Sequence, residues 1–191
     1  MVAISSRQFS SQRGTSMIEV LVTLVIIAFG LLGMAGLQMR LQVSEMESYQ
    51  RSQALLVLND ISNRMVVNRS NVAAYLVAPG SPLGAGMTCP TTTTTTVQRD
   101  LKEWCDILQG TSETTSSGAT KQGGMIGGRG CIEQVGAEYL ITVAWQGLTP
   151  ISAPPSSVAC GANSYNASAG SPCVSDRCRR TVTTVIRIAT L

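Results

Sequence analysis

Residues 13–37 read RGTSMIEVLVTLVIIAFGLLGMAGL, and the reading of this stretch decides the architecture of the chain. From Val20 to Leu37 Thr23 carries the only polar side chain. A helix rises 1.5 Å per residue, so a run of this length comes close to spanning the hydrocarbon core of a bilayer. No second such run follows. The pattern predicts a single span with residues 38–191 beyond it. Ahead of the span, residues 1–14 carry Arg7 and Arg13 and no acid. Positive residues before a span hold that end in the cytoplasm, which places the rest outside the inner membrane. The six cysteines agree with a compartment that permits disulfides.

A plain secretory signal is the competing reading, with Gly33, Ala35 and Gly36 imitating a small-residue cut site. Two features oppose it. The apolar stretch is long for a signal core, and the amphipathic pattern continues from it with no proline before Pro79.

Composition narrows the function classes. With 13% charged and 44% hydrophobic residues, the chain is not a disordered polyelectrolyte, and 191 positions allow one ordinary domain plus an appendage or one small domain with a long extension. A formal net charge of +3 does not mark a nucleic-acid binder. The absence of histidine excludes Ser-His-Asp and Cys-His catalysis, His-ligated metals and an imidazole switch.

Glu19 is the oddity. A carboxylate inside a spanning helix costs about 2.5 kcal/mol or more. The bland reading has it snorkel to the interface or sit on the helix N-terminal dipole. The functional reading requires a cation that meets Glu19 within the membrane, and an amine freed by cleavage nearby would supply one.

The run Arg13-Gly14-Thr15-Ser16-Met17-Ile18-Glu19-Val20 resembles the class III signal of type IV pilins and pseudopilins: a short basic leader, a Gly, four mostly apolar residues, a Glu, then an apolar helix. Taken with YLITVAWQG and CRRTVTTVIRIATL, it is similar to the minor pilins of the type IV pilus modification protein (PilV) family. The resemblance implies cleavage by a prepilin peptidase between Gly14 and Thr15 and N-methylation of Thr15, where the family usually has Phe or Met. It implies that Glu19 pairs with the amine of a neighbouring subunit during assembly. It also implies the pilin fold, and co-assembly with other minor pilins and the major pilin on an inner-membrane assembly platform, at a tip that carries an adhesin. The subunit would wait in the inner membrane, its head in the periplasm, before entering the extracellular pilus.

The remaining residues read as follows. Gln38 to Arg69 contains no Pro or Gly, and Ala54, Leu58, Ile61 and Met65 share one helix face. One helix from about Ser16 to Asn68 would be roughly 80 Å long. Glu47 with Arg51, and Asp60 with Arg64, are expected as i,i+4 pairs on its wet side. Gly30, Gly33 and Gly36 leave two readings open, close helix packing or a point that unwinds in a filament.

The expected organisation is a leader at 1–14, a membrane or filament-core helix at 15–38, an amphipathic helix at 39–76 and a globular head at 77–191. Within the head, Thr91 to Thr96 reads as a flexible or extended surface loop. Gln98 to Leu108 reads as a short helix packed by Leu101 and Trp104. The glycine-rich run from Gly123 to Gly130 reads as a turn, because it lacks the Lys-Ser/Thr ending of a phosphate loop. Gly130–Val135 and Tyr139–Gln146 read as a hairpin turning at Gly136-Ala137, and Val182, Thr184, Ile186 and Ile188 alternate on a last strand that ends at Leu191. The fold class is α+β: a long N-terminal helix packed on a small antiparallel sheet.

For Cys89, Cys105, Cys131, Cys160, Cys173 and Cys178, disulfides are favoured over zinc, since no CxxC and no histidine is present. If all six pair, at least one bridge joins the first three to the last three, and Cys131–Cys178 is the expected one. Arg177, Arg179 and Arg180 read as solvated charges at a strand start. Glu45 and Glu47 do not face each other, and no catalytic constellation emerges. No cofactor, metal or nucleic acid is expected, and the chain reads as a non-enzyme. The alternatives are a pseudopilin of a type II secretion system, whose acidic calcium loop is missing here, and a membrane-anchored periplasmic enzyme.

Overall fold

A computed structural model of the chain describes residues 16–110, 124–168 and 170–188. It divides into two compact units, Met1–Val43 and Ser44–Leu191. Helix α1, Met17–Val67, runs through 51 residues without a break.

Within the first unit the helix side chains are exposed almost all the way round. Leu21, Leu24, Leu31 and Leu32 are each more than 60% exposed. A helix apolar on every side has no wet face and must be covered by lipid or by other helices. Thr23, the only polar side chain in the run, returns its hydroxyl to the Val20 carbonyl at 2.8 Å and so needs no outside partner.

Within the second unit α1 behaves differently. Gln50, Ala54, Val57, Leu58, Ile61 and Met65 are buried. They fall at helical spacing, as the sequence predicts, and Ile61 and Met65 are fully buried. Each such side chain contributes about 2 kcal/mol in water-to-core transfer. A 3-10 helix, Arg69–Tyr75, follows, with a non-helical residue at Asn71.

Helix α2, Thr96–Leu108, starts two residues before the expected point. Thr95 accepts from the Gln98 N–H, and the Gln98 side chain accepts from the Thr95 N–H, a reciprocal capping box. The threonine tract is exposed as expected, but its last two residues cap and open this helix. Trp104 is fully buried and donates its indole N–H to the Val57 carbonyl of α1 at 3.1 Å.

Four antiparallel strands form one sheet in the order β1-β2-β3-β4: β1 Leu83–Gly84, β2 Arg129–Val135, β3 Glu138–Gln146 and β4 Arg179–Arg187. The β2–β3 hairpin closes through Gly136-Ala137, where Gly136 takes φ 62°. That is a conformation glycine adopts at little cost. The segment after Met125 turns and enters β2, which accords with a turn reading of the glycine-rich run; Gly123 lies outside the described residues.

Strand parity sorts the sheet into two faces. Ile132, Tyr139, Ile141, Val143 and Trp145 belong to the core with the buried side of α1 and with α2. Gly130 lies on that face because Trp104 packs onto it: a Cβ there would meet the indole at 2.3 Å. The opposite face carries Cys131, Thr142 and Ala144, and the long connection between β3 and β4 covers part of it. Buried Tyr165 donates to the Gly127 carbonyl at 2.9 Å, and a Cβ on Gly161 would lie 3.2 Å from the Ala144 Cβ.

The six cysteines form three bridges, Cys89–Cys105, Cys131–Cys160 and Cys173–Cys178, with Cα separations of 5.7, 5.8 and 5.2 Å. One bridge does join the first three cysteines to the last three. It is not Cys131–Cys178. β2 and β4 do run in the same direction, but β3 lies between them. Two strand spacings come to roughly 9.6 Å, beyond the reach of about 7 Å that a disulfide allows. Cys131 instead fastens the covering connection to the outer face.

Candidate functional site

Three places carry the charged chemistry: the opening turn of α1, a buried ion-pair cluster where α1 meets β4, and a cluster between the end of α1 and α2.

At the first, the Ser16 carbonyl accepts the N–H groups of Glu19 at 2.9 Å and Val20 at 3.3 Å, so Glu19 stands in the first turn of α1. Its neighbours Met17 and Ile18 are 90% and 70% exposed. The carboxylate is therefore presented among apolar side chains at the positive end of the helix dipole. Gly14 and Thr15 lie outside the described residues. Along the same helix, a Cβ on Gly30, Gly33 or Gly36 would meet nothing within 4 Å. Among the described residues nothing demands glycine there.

At the second place the sequence reading needs correction. Arg179 and Arg180 are only 3% and 8% exposed. They are not solvated charges. Adjacent residues on a strand point to opposite faces, so the two guanidinium groups serve different layers. Arg180 faces α1. It donates Nη2 to Glu47 Oε1 at 3.1 Å and Nε to Glu47 Oε2 at 3.2 Å, a two-point pair, and also bonds the carbonyls of Thr149 and Arg177. Glu47 further accepts from the backbone N–H of Leu148 at 2.9 Å and of Thr149 at 3.2 Å. Burial alone would raise the Glu47 carboxyl. The bonds from Arg180, Thr149 and Leu148, with the Arg180 charge, outweigh it and hold the group below the usual carboxylate range. Glu47 thus pairs across the tertiary structure and not with Arg51. Arg51 lines a groove beside the pair, together with Trp145, Ile151, Pro154 and Pro155.

Arg179 faces the covering connection. Its Nη1 donates to the carbonyls of Val158 at 2.6 Å and Cys160 at 3.1 Å. Its Nε lies 3.2 Å from Asp176 Oδ2, near enough for charge pairing although it is off the line of a hydrogen bond.

A third cluster joins the end of α1 to α2. The Asp60–Arg64 pair forms at 2.9 Å, yet it is not on a wet face: Arg64 also reaches Asp100 at 3.1 Å and Glu103 at 2.6 Å. Buried Tyr75 donates its hydroxyl to Asp100 and accepts from Asn68 at 3.0 Å. Burial and the Asp100 carboxylate push its phenol up to about 12, so it stays a proton donor. The second and third clusters tie helix to sheet and helix to helix. Among the described residues, no group of three or more metal-ligand side chains is gathered. No family model, no curated protein and no solved structure matches the chain.

Proposed function

We propose that the chain is a minor pilin of a Gram-negative type IV pilus, with the pilin fold and a structural role without turnover. The observation that supports this most is α1 itself. Its first half is apolar on all sides and opens with Glu19, and its second half is one buried face in a disulfide-rich α+β head. A helix of this kind is long and apolar enough to cross a membrane. In this reading a prepilin peptidase cuts between Gly14 and Thr15, and Thr15 is N-methylated. The subunit is held in the inner membrane with its head in the periplasm until the assembly platform draws it into a complex with other minor pilins. That complex primes polymerisation of the major pilin and sits with a tip adhesin.

The driving force is lateral packing of apolar helices. Glu19 adds direction, because a carboxylate facing a subunit amine at 4 Å gains about 4 kcal/mol at an effective dielectric near 20. Two measurements test this together. The mass of the protein taken from membranes should lack residues 1–14 and carry one methyl group. Crosslinking in intact membranes should capture subunits that share the basic-leader, Gly and Glu pattern. A mature mass that begins at Met1, or capture only of chains without such a helix, refutes the reading.

A further inference from the structure

The Glu47–Arg180 pair holds one wall of the groove beside it. Arg180 donates to the Thr149 carbonyl, and Glu47 accepts from the Leu148 and Thr149 N–H groups, so the segment after β3 is tied down to α1. Two residues on, the Ile151 N–H donates to the Arg177 carbonyl at 2.8 Å. Pro154 and Pro155 follow, each with φ fixed by its ring. The groove between this segment, α1 and the start of β4 has a volume of about 370 Å3. Small-molecule sites run from about 300 to 1,000 Å3. The bonds that hold its walls are made within the chain, so the groove is formed before any occupant arrives.

The charges of the walls select the occupant. Arg179 and Arg180 both line the groove, but Asp176 and Glu47 match them. Arg51 lines it too, is exposed, and forms no ion pair among the described residues. Its neighbour one helical turn back, Glu47, is already engaged by Arg180, Leu148 and Thr149. The groove therefore keeps one unmatched positive charge. The hydroxyls of Ser152 and Thr181 line it as well, and neither makes a hydrogen bond among the described residues. Ile151 and Pro155, both exposed, add apolar surface. We propose that this groove binds a small organic carboxylate. Its anionic end pairs with Arg51 and accepts from the two hydroxyls, and its apolar body lies against Ile151 and the prolines. An inorganic anion would leave the apolar wall unused, and a neutral apolar molecule would leave Arg51 unmatched.

The test uses the full chain in detergent micelles, isotope-labelled for amide NMR, and titrates it with phenylacetate, phenylacetamide and inorganic phosphate. Phenylacetate should shift the amide signals of Ser152 and Thr181 and the indole signal of Trp145, which also lines the groove, and the shifts should saturate. It should bind about threefold or more tightly than phenylacetamide, which has the same ring and no charge, and more tightly than phosphate. Arg51→Gln, at an exposed position without an ion pair, should abolish the preference for the acid over the amide while the circular dichroism stays unchanged. Equal binding of phenylacetate and phenylacetamide overturns the proposal, as does a preference that survives Arg51→Gln or a set of shifts that falls elsewhere. Phosphate binding as tight as phenylacetate overturns it in favour of a plain anion site. Binding of the tripeptide Ala-Ala-Phe, with its free carboxylate, about tenfold more tightly than phenylacetate overturns it in favour of a chain end.

Discussion

Glu47→Gln should destabilise the head by about 2 kcal/mol, and the loss should vanish in acid. In the folded head the Glu47 carboxylate faces the Nε and Nη2 of buried Arg180, with further bonds from Leu148 and Thr149. Breaking a fully buried pair costs about 3–5 kcal/mol. The Glu47 side chain is 26% exposed, which moves the figure toward the low end. Glutamine keeps the shape but sets one NH2 against a donor of Arg180 and removes the charge. Folding holds the Glu47 carboxyl below its ordinary value of 4.5. Its stabilisation is therefore present above that value and lost as pH falls through the folded pKa. Urea unfolding of the full chain in micelles, followed by tryptophan fluorescence, is a suitable assay, because both tryptophans, Trp104 and Trp145, are buried in the head. At pH 7 the two proteins should differ by about 2 kcal/mol, and the curves should converge well below pH 4. A difference under about 0.5 kcal/mol at pH 7, or an acid dependence that Glu47→Gln leaves intact, would refute the pairing.

Glu19→Ala should still insert and be processed, since removing a charge eases membrane residence, but should be depleted from pili. Unchanged incorporation, measured by immunoblot of sheared filaments, counts against the carboxylate–amine pairing. Gly130→Ala should cost about 3 kcal/mol by driving a methyl into the Trp104 ring 2.3 Å away, read as a lowered urea midpoint. An unshifted midpoint means that the indole does not rest there. Replacing Cys131 and Cys160 together by Ser should cost about 3.5 kcal/mol in the chain-entropy account, and replacing Cys173 and Cys178 about 2. The reverse order of losses in parallel denaturation curves would contradict the loop lengths of 29 and 5 residues.

Elements whose signal is periodic were legible in the sequence. The buried face of α1, the β2–β3 hairpin and the alternation of β4 follow from spacing alone. The start of α2 was legible too, through the Thr95–Gln98 capping box, but the threonine tract masks it as a loop. Of the ion pairs, Asp60–Arg64 was legible from its spacing, while the partners of Glu47 and Arg180 were not. Glu47 and Arg51 satisfy a local rule, while the partner Glu47 takes lies 133 residues away. A hint existed: Arg180 shares strand parity with Val182, Thr184 and Ile186, so alternation already turns it toward the helices. The cysteine pairing failed for a related reason. Strand direction could be guessed, but the pair Cys131–Cys178 is ruled out only once β3 is known to lie between. Of the candidate site, Glu19 at the head of an apolar helix was legible, because a charge beside a long apolar run is conspicuous. The burial of Arg179 and Arg180 was not, because it depends on layers that come from distant parts of the chain.

The three disulfides have a consequence for biogenesis. In chain order the cysteines pair first with second, third with fourth and fifth with sixth. Of the fifteen ways to join six thiols, this is the set produced when each new cysteine is oxidised onto the one waiting before it. In a head that entered an oxidising space from its N-terminal side, the partner of each waiting thiol would be the next cysteine to appear. The Cys131–Cys160 bridge lies wholly ahead of β4 in the chain, so fastening the covering connection to β2 does not require the last strand to be present.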